Sequence, residues 1–204
     1  MATFMICAGL GLLIGAMSPP VDALTERFLS AHMMQHMLVA TIAPLLVVAG
    51  IAGITGNGRF KRVCAWTCPA VLGWLSGVGA TLLWHVPLLF NFAALNARVH
   101  GLEHASLLAA GCLFWWPVFG PEERRLPVIT AGFYLVTACI ACTATGIVIA
   151  LGPAGIYPAY PDATDQQIAG LMMWIPGCLI YLGSIMGVLA RYYQDPPVVK
   201  AANE

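Results

Sequence analysis

Residues 30–50, SAHMMQHMLVATIAPLLVVAG, form an uncharged stretch that begins with two of the five histidines in the chain. A helix of about 20 apolar residues crosses the hydrocarbon core of a bilayer, which is roughly 30 Å thick. The stretch has this length and contains no Asp, Glu, Lys or Arg. It therefore predicts a transmembrane helix whose first turns carry imidazole and thioether groups.

The composition of the whole chain extends this prediction. Of its 204 residues, 60% are hydrophobic and only 9% are charged, and the mean hydropathy is +0.83. A soluble domain carries about 25% charged residues, because its surface must face water. The composition excludes an ordinary soluble domain and predicts a polytopic membrane protein that is surrounded by lipid. The net charge is zero, so nothing indicates a nucleic-acid partner.

Apolar runs of membrane-spanning length recur along the chain, with turn sequences such as GPEERRLP between them. They predict an all-α integral membrane protein, a single domain over residues 1–204 with six spans at about 1–17, 30–50, 69–92, 100–120, 127–152 and 166–191. The first run has no basic segment before it, and Ser18-Pro19-Pro20 is a poor signal-peptidase site. We therefore expect a short first span that is retained.

The distribution of Lys and Arg predicts the orientation of this six-helix bundle. Two basic residues, Arg27 and Arg98, lie in the first and third loops. The other seven lie in the second loop, the fourth loop and the C-terminal end: Arg59, Lys61, Arg62, Arg124, Arg125, Arg191 and Lys200. Because basic residues in short loops stay on the cytoplasmic side, both termini are expected in the cytoplasm.

This orientation places every histidine at the outer end of a predicted span. They open the second span, lie near the end of the third and open the fourth: His32, His36, His85, His100 and His104. Residues four apart share a helix face, so the sequence forms two faces with two imidazoles each. We expect these three spans to pack together at their outer ends. Small residues of the third span permit close approach: Gly73, Gly77 and Gly79.

The clustered histidines predict a metal site, because strongly polar side chains within spans are costly and usually serve a function. For a single histidine, the structural alternative is a side chain that reaches the membrane surface and bonds a carbonyl group. Two pairs of histidines and a fifth at the same depth favour a metal over that alternative.

Methionines beside the histidines bear on the identity of the metal. Met33 and Met37 stand four apart, each one residue after a histidine. Imidazole alone suits zinc, copper or iron, whereas thioether groups shift the preference toward Cu(I). The interleaved sequence HMMQHM therefore favours copper, with zinc as the second choice. Met172 and Met173, in the sixth span, are typical of core packing and add little.

Two acidic residues are predicted to support the metal site. Glu103 and Asp165 are suited to orienting imidazole N–H groups from behind the ligands. Asp165 is equally suited to capping the last span, and Glu103 to pairing with Arg98.

Most of the seven cysteines lie inside apolar runs, where cysteine behaves as a small apolar residue. Cys139 and Cys142 have the spacing of a redox motif, but no charge lies beside them to lower a thiol pKa. They are expected to pack as small apolar residues. Cys64 and Cys68, which flank Trp66 near a basic loop, are ambiguous.

Four segments resemble the multi-span CtaG-type cytochrome c oxidase assembly proteins: SAHMMQHMLVATIAPLLVVAG, LLWHVPLLFNFAAL, RVHGLEHASLLAAGCLFWWPVFG and IYPAYPDATDQQIAGLMMWIPG. The motifs AHM-x-x-HM, WH-x-P, H-x-x-EH, FWWP and DQQ-x-x-G-x-x-MW carry the resemblance, over about residues 18–187. It implies a role in maturing haem–copper oxidase, with copper delivery as the activity, in the inner membrane of a bacterium. It also implies the ligands His32, His36, His85, His100, His104 and Met33.

The leading hypothesis is a non-enzymatic, copper-binding assembly factor. It would hold Cu(I) at the periplasmic face, with a periplasmic copper donor as a further partner, and pass the ion to an oxidase subunit. The alternative is an integral-membrane hydrolase with a three-histidine zinc site and Glu103 or Asp165 as general base, in which the methionines would be idle. Bis-histidine haem ligation and a purely structural subunit are further alternatives.

Overall fold

The computed structural model describes residues 1–55 and 69–194 of the chain. These residues are mainly helical, and no strand occurs among them. The helices are α1 (Ala2–Ala16), α2 (Pro19–Thr25), α3 (Leu29–Met37), α4 (Ala43–Thr55), α5 (Ala70–Trp84), α6 (Pro87–Ala94), α7 (Ala97–Phe119), α8 (Val128–Leu151) and α9 (Ala163–Gln194). A π-helical turn, Leu38–Ile42, joins α3 to α4, and a short 3-10 turn, Glu122–Arg124, precedes α8. The predicted all-α class is confirmed.

Four helical segments are long and apolar enough to cross a membrane: Leu29–Ile54, Ala97–Phe119, Val128–Leu151 and Ala163–Tyr193. Two bent pairs meet the same criterion only when each pair is taken together: α1 with α2, at an angle of 56°, and α5 with α6, at 74°. The described helices therefore support a multi-span membrane protein, and the predicted six spans require each bent pair to be one span. Large apolar side chains such as Leu88 and Leu151 point outward, where lipid would cover them.

The orientation stays a prediction. Four of the basic residues on which it depends lie outside the described residues: Arg59, Lys61, Arg62 and Lys200. The ambiguous cysteines Cys64 and Cys68 also lie there.

A proline sets the bend between α5 and α6. Pro87 begins α6, and a proline disfavours helical backbone at the residue before it. Val86 is accordingly extended, and α5 ends with His85 as its C-cap. The carbonyl of His85 accepts a hydrogen bond from the Tyr157 hydroxyl at 2.8 Å. The bend therefore leaves His85 at a fixed corner at the end of the bundle.

Glycines allow the closest helix crossings. α8 packs along α9, and α4 and the π-helical turn pack against α7. A Cβ added to Gly170 on α9 would lie 2.5 Å from the carbonyl oxygen of Gly146 on α8. A Cβ added to Gly111 on α7 would overlap the carbonyl oxygen of Ala40 in the π-helical turn. Gly111 therefore sets how closely α7 approaches the helix that carries His32 and His36.

The glycines predicted to permit close packing of α5 divide into two groups. A Cβ added to Gly73 would lie 2.7 Å from the carbonyl oxygen of Leu113, and one added to Gly77 would lie 2.6 Å from Phe114. The prediction is confirmed for these two positions, which face α7. It is wrong for Gly79, where an added Cβ would meet no described atom within 4 Å. Two residues along a helix turn the side chain by about 200°, so Gly79 faces away from α7.

Candidate metal centre

The five histidines meet at one end of the bundle. The ring centroids of His32 and His100 are 5.0 Å apart, those of His36 and His104 are 5.4 Å apart, and those of His36 and His85 are 5.7 Å apart. All of these side chains are buried except His100, which is partly exposed. The histidine-bearing ends of α3, α5 and α7 thus pack together as the spacing predicts.

Glu103 lies inside the histidine cluster. Its side chain is completely buried, with Oε1 3.4 Å from Nε2 of His36 and Oε2 4.0 Å from Nε2 of His32. His32, His36, His100 and Glu103 each offer one ligand atom, and these atoms all lie within 4.8 Å of one another. We call these four residues the His–Glu centre. Glu103 stands among the candidate ligands, and no ion pair with Arg98 occurs in the described part of the chain.

Tyr160 fixes the hydrogen position on His32. Its hydroxyl donates to the carbonyl of Thr25 at 2.7 Å and lies 3.0 Å from Nδ1 of His32. Burial raises the pKa of the Tyr160 phenol, so the hydroxyl keeps the proton that it donates. The oxygen therefore accepts from Nδ1–H of His32. The lone pair of His32 is then on Nε2, which faces His36 at 2.9 Å and Glu103.

A backbone carbonyl has the same effect on His85. Nδ1 of His85 lies 2.6 Å from the carbonyl oxygen of Thr81, one turn earlier in α5. A carbonyl oxygen only accepts, so Nδ1 carries the hydrogen and Nε2 carries the lone pair. Metal-binding histidines are commonly oriented in this way: one ring nitrogen faces the metal, and the N–H of the other donates to a fixed acceptor.

Buried polar atoms without partners concentrate in this region. Among residues 1–55 and 69–194, eight buried side-chain nitrogen and oxygen atoms lack a hydrogen-bond partner. Six of them belong to the cluster: Nδ1 of His36, Nε2 of His85, His100 and His104, and both carboxylate oxygens of Glu103. A buried polar atom without a partner costs roughly 1–3 kcal/mol. A cation bound among these atoms would satisfy several of them at once, so the donors fit a metal ion.

A cavity leads from the His–Glu centre to the surface. It has a volume of about 230 Å³, and its walls include Glu26, His32, His100 and Tyr160. Glu26 is exposed, whereas His32 is buried. We call this cavity the vestibule. It offers a cation a route from solvent to the histidines with a carboxylate at its edge.

Phe90 closes the cluster on another side. Its side chain on α6 is fully buried, and its ring centroid lies 4.8 Å from that of His32 and 6.3 Å from that of His85. The buried apolar ring covers this side of the cluster, and electrostatic interactions are stronger in such low-dielectric surroundings.

The predicted methionine ligands lie on one side of the His–Glu centre. Met33 and Met37 are buried and line a cavity, which His36, His85 and Met173 also border. The structure thus brings both thioethers to the wall of a cavity that His36 and His85 share.

The carboxylate of Asp165 lies at the N-terminal end of α3, the helix that carries His32 and His36. Its carboxylate accepts hydrogen bonds from the backbone N–H of Leu29 at 2.5 Å and from the hydroxyl of Ser30 at 2.5 Å. Its own helix, α9, is capped by Asp162, which accepts from the backbone N–H of Thr164 at 2.8 Å. Asp165 therefore caps α3 across the fold, and its hydrogen bonds in the described chain go to that helix end and not to an imidazole.

Sequence reasoning did not single out Tyr160, Thr81 or Phe90. Tyr160 lies in the segment IYPAYPDATD, between the fifth and sixth predicted spans. Its hydroxyl reaches His32 across 128 residues of chain, and no spacing rule connects them. Thr81 was in principle detectable, because it lies four residues before His85 on the same helix.

Comparison with known proteins identifies the family. The model of the family described as cytochrome c oxidase caa3 assembly factor (Caa3_CtaG) matches residues 1–195. No curated protein and no solved structure matches the chain significantly. The match covers nearly the whole chain, including every residue of the His–Glu centre. The chain belongs to the cytochrome c oxidase caa3 assembly factor family.

Proposed function

We propose that this chain binds copper at the His–Glu centre and delivers it to cytochrome c oxidase during assembly. Membership of an assembly factor family gives the role in oxidase maturation and favours a non-catalytic activity. The proposal of a bound metal rests on the convergence of three imidazoles and one carboxylate within 4.8 Å in a buried site. Buried charged and strongly polar groups with no other partner commonly coordinate metals.

The chemistry of the donors supports copper as the cargo. Imidazole nitrogen binds copper as well as zinc, and copper exceeds zinc in the general order of affinity. Met33 and Met37 line a cavity that His36 also borders, and thioether groups prefer Cu(I). The oxidase that the family helps to assemble uses copper. A copper ion at the His–Glu centre would therefore explain how the chain contributes to oxidase assembly.

The position of the centre supports delivery rather than permanent storage. His32 and His100 line the vestibule, so an ion on them is within reach of the surface. We place this face on the periplasmic side, as the basic residues predict. There, a periplasmic donor would load the site, and an oxidase subunit in the same membrane would accept the ion. No observation among the described residues favours the zinc hydrolase.

The proposal is tested by removing each histidine pair. His32→Ala with His36→Ala should lose copper about as completely as His100→Ala with His104→Ala, since each variant leaves too few strong ligands. The four substitutions combined should add little, because residues that act as one unit are non-additive. Metal content is measured on protein purified in detergent and reconstituted anaerobically with Cu(I), and separately with Zn(II).

Cells provide the second measurement. A strain with either double variant should make the oxidase polypeptide but leave it short of copper. Met34→Leu is the matched control, because Met34 lies in the same motif, is only half-buried and does not border either cavity. Copper binding by both double variants, together with a fully metallated oxidase, would contradict the proposal.

A further inference from the structure

A cavity of about 40 Å³ adjoins the His–Glu centre between the helices. Four sulfur-bearing side chains border it, from α3, α8 and α9: Met33, Met37, Cys142 and Met173. Roughly 10–15 Å³ is enough for one water molecule, so the cavity has room for a single metal ion. We call it the sulfur cavity.

A glycine brings two of these sulfur side chains together. A Cβ added to Gly177 on α9 would lie 3.0 Å from Sγ of Cys142 and 3.8 Å from the terminal methyl group of Met37. Both side chains therefore approach α9 at the same point. Sγ of Cys142 also lies 3.6 Å from the carbonyl oxygen of Met173, which places that residue beside them.

Two imidazoles, each with one unpartnered nitrogen, border the same cavity. His36 and His85 are buried and line it, while Nδ1 of His36 and Nε2 of His85 have no hydrogen-bond partner in the described ranges. Nε2 of His85 carries a lone pair, because its Nδ1–H is used by Thr81. A buried lone pair without a donor is unfavourable, and a cation would relieve it.

We propose that the sulfur cavity is a second, softer metal site, which takes Cu(I) through Met37, Met173 and Cys142 with His85 at its edge. Thioether and thiol groups are soft ligands and select Cu(I) over hard divalent ions. His36 borders this site and also belongs to the His–Glu centre, so one imidazole links the two.

The charge of the surroundings also selects a monovalent ion. Methionine and histidine ligands are neutral, and the Cys142 thiol would release its proton when it binds Cu(I), so it supplies at most one negative charge. Cu(I) would then be neutralised, whereas Zn(II) would leave a net positive charge buried within the membrane, which is costly. The carboxylate of Glu103, by contrast, faces the His–Glu centre and compensates charge there.

This inference rests on one part of the proposed function, namely that the chain carries copper. The number of metal ions bound tests the inference and the proposed function separately. Full-length protein in detergent is titrated anaerobically with Cu(I) against a chromogenic chelator, and with Zn(II). Cys7, Cys64 and Cys68 are first replaced by Ser, which removes three of the six thiols other than that of Cys142; the Cys139/Cys178 pair is tested separately below. We expect about two equivalents of Cu(I) and about one of Zn(II).

Met37→Leu with Met173→Leu should remove one Cu(I) equivalent and leave Zn(II) binding unchanged. The substitution nearly conserves volume and apolarity, so the fold should tolerate it. Met34→Leu with Met172→Leu is the matched control, since both residues are half-buried and do not border the cavity. X-ray absorption at the copper edge needs no methionine variant, and it should show sulfur neighbours in the doubly loaded protein.

Three results would overturn the inference: a single Cu(I) equivalent, copper with nitrogen and oxygen neighbours alone, or two equivalents retained in the Met37/Met173 variant. Loss of the second equivalent only on Cys139→Ala with Cys178→Ala would also overturn it, because the ion would then lie between those thiols, 3.6 Å apart.

His32→Ala with His100→Ala separates the two proposals, because neither residue borders the sulfur cavity. This variant should lose Zn(II) and one Cu(I) while keeping the sulfur-bound ion. If it retains every metal while the methionine variant loses copper, the His–Glu centre fails and the sulfur cavity stands. If the His32/His100 variant loses metal while the methionine variant loses none, the sulfur cavity fails and the proposed function stands.

Discussion

The hydroxyl of Tyr160 lies 3.0 Å from Nδ1 of His32, although the two residues are 128 positions apart in the chain. The same hydroxyl donates to the carbonyl of Thr25, so it accepts from His32 and holds the imidazole with its lone pair on Nε2. That nitrogen faces the carboxylate of Glu103. A loop between two membrane helices therefore determines which atom of His32 is available to a metal.

Tyr160→Phe removes this hydrogen bond and keeps the ring. Loss of a group that orients a metal-binding histidine typically weakens affinity by about 10- to 100-fold. We expect a loss of that size for Cu(I) and Zn(II), measured by chelator competition. Tyr193→Phe is the control, because Tyr193 is exposed at the far end of α9. This variant should bind both metals normally. An unchanged affinity in Tyr160→Phe would mean that the tyrosine does not control His32.

Glu103→Gln removes a negative charge from the His–Glu centre while keeping the shape of the side chain. Divalent ions depend more on a compensating carboxylate than monovalent ions do, because the cost of burying an ion rises steeply with its charge. We therefore expect Zn(II) affinity to fall by about tenfold or more, which corresponds to about 1.4 kcal/mol, and Cu(I) affinity to fall less. Equal losses for the two ions would contradict a role of Glu103 in charge compensation.

Gly111→Ala tests whether the close approach of α7 to the π-helical turn positions the histidines. The added methyl group would overlap the carbonyl oxygen of Ala40, so α7 must shift outward. Overpacking of this kind costs about 1–3 kcal/mol in free energy of unfolding. Metal affinity should fall as well, because His100 and His104 move with α7.

Gly101→Ala is the matched control on the same helix. Gly101 is exposed, and an added Cβ would have no described atom within 4 Å. Alanine is more favourable than glycine in a helix by up to about 1 kcal/mol, so this variant should be as stable as the original chain or more so. Unfolding in mixed micelles compares the two variants. Equal stability would show that the crossing at Gly111 tolerates a side chain.

The orientation is tested with reporter fusions. A reporter that is active only in the cytoplasm should work after Lys200, and one that is active only in the periplasm should work after Leu95, between α6 and α7. The reason is the excess of Lys and Arg in the second loop, the fourth loop and the C-terminal end. Periplasmic activity after Lys200 would move the histidine cluster to the cytoplasmic side.

Local patterns in the sequence were enough to predict the helical class and the histidine cluster. Apolar runs of about 20 residues specify membrane helices, because lipid offers the backbone no hydrogen-bond partner outside a helix. The spacing of four between His32 and His36, and between His100 and His104, places each pair on one helix face. These features depend on residues that are close in the chain, so the sequence determined them by itself.

Only the tertiary structure decided which of these groups lie together. Glu103 stands among the candidate ligands, while Asp165 caps α3, the helix that carries His32 and His36. Met37 meets Cys142, 105 positions later in the chain, in a separate cavity. Such partners lie on different helices, and their distances depend on how closely those helices cross. The crossings are set by small residues such as Gly111 and by the bend at Pro87, and side-chain packing across the bundle has no local sequence pattern.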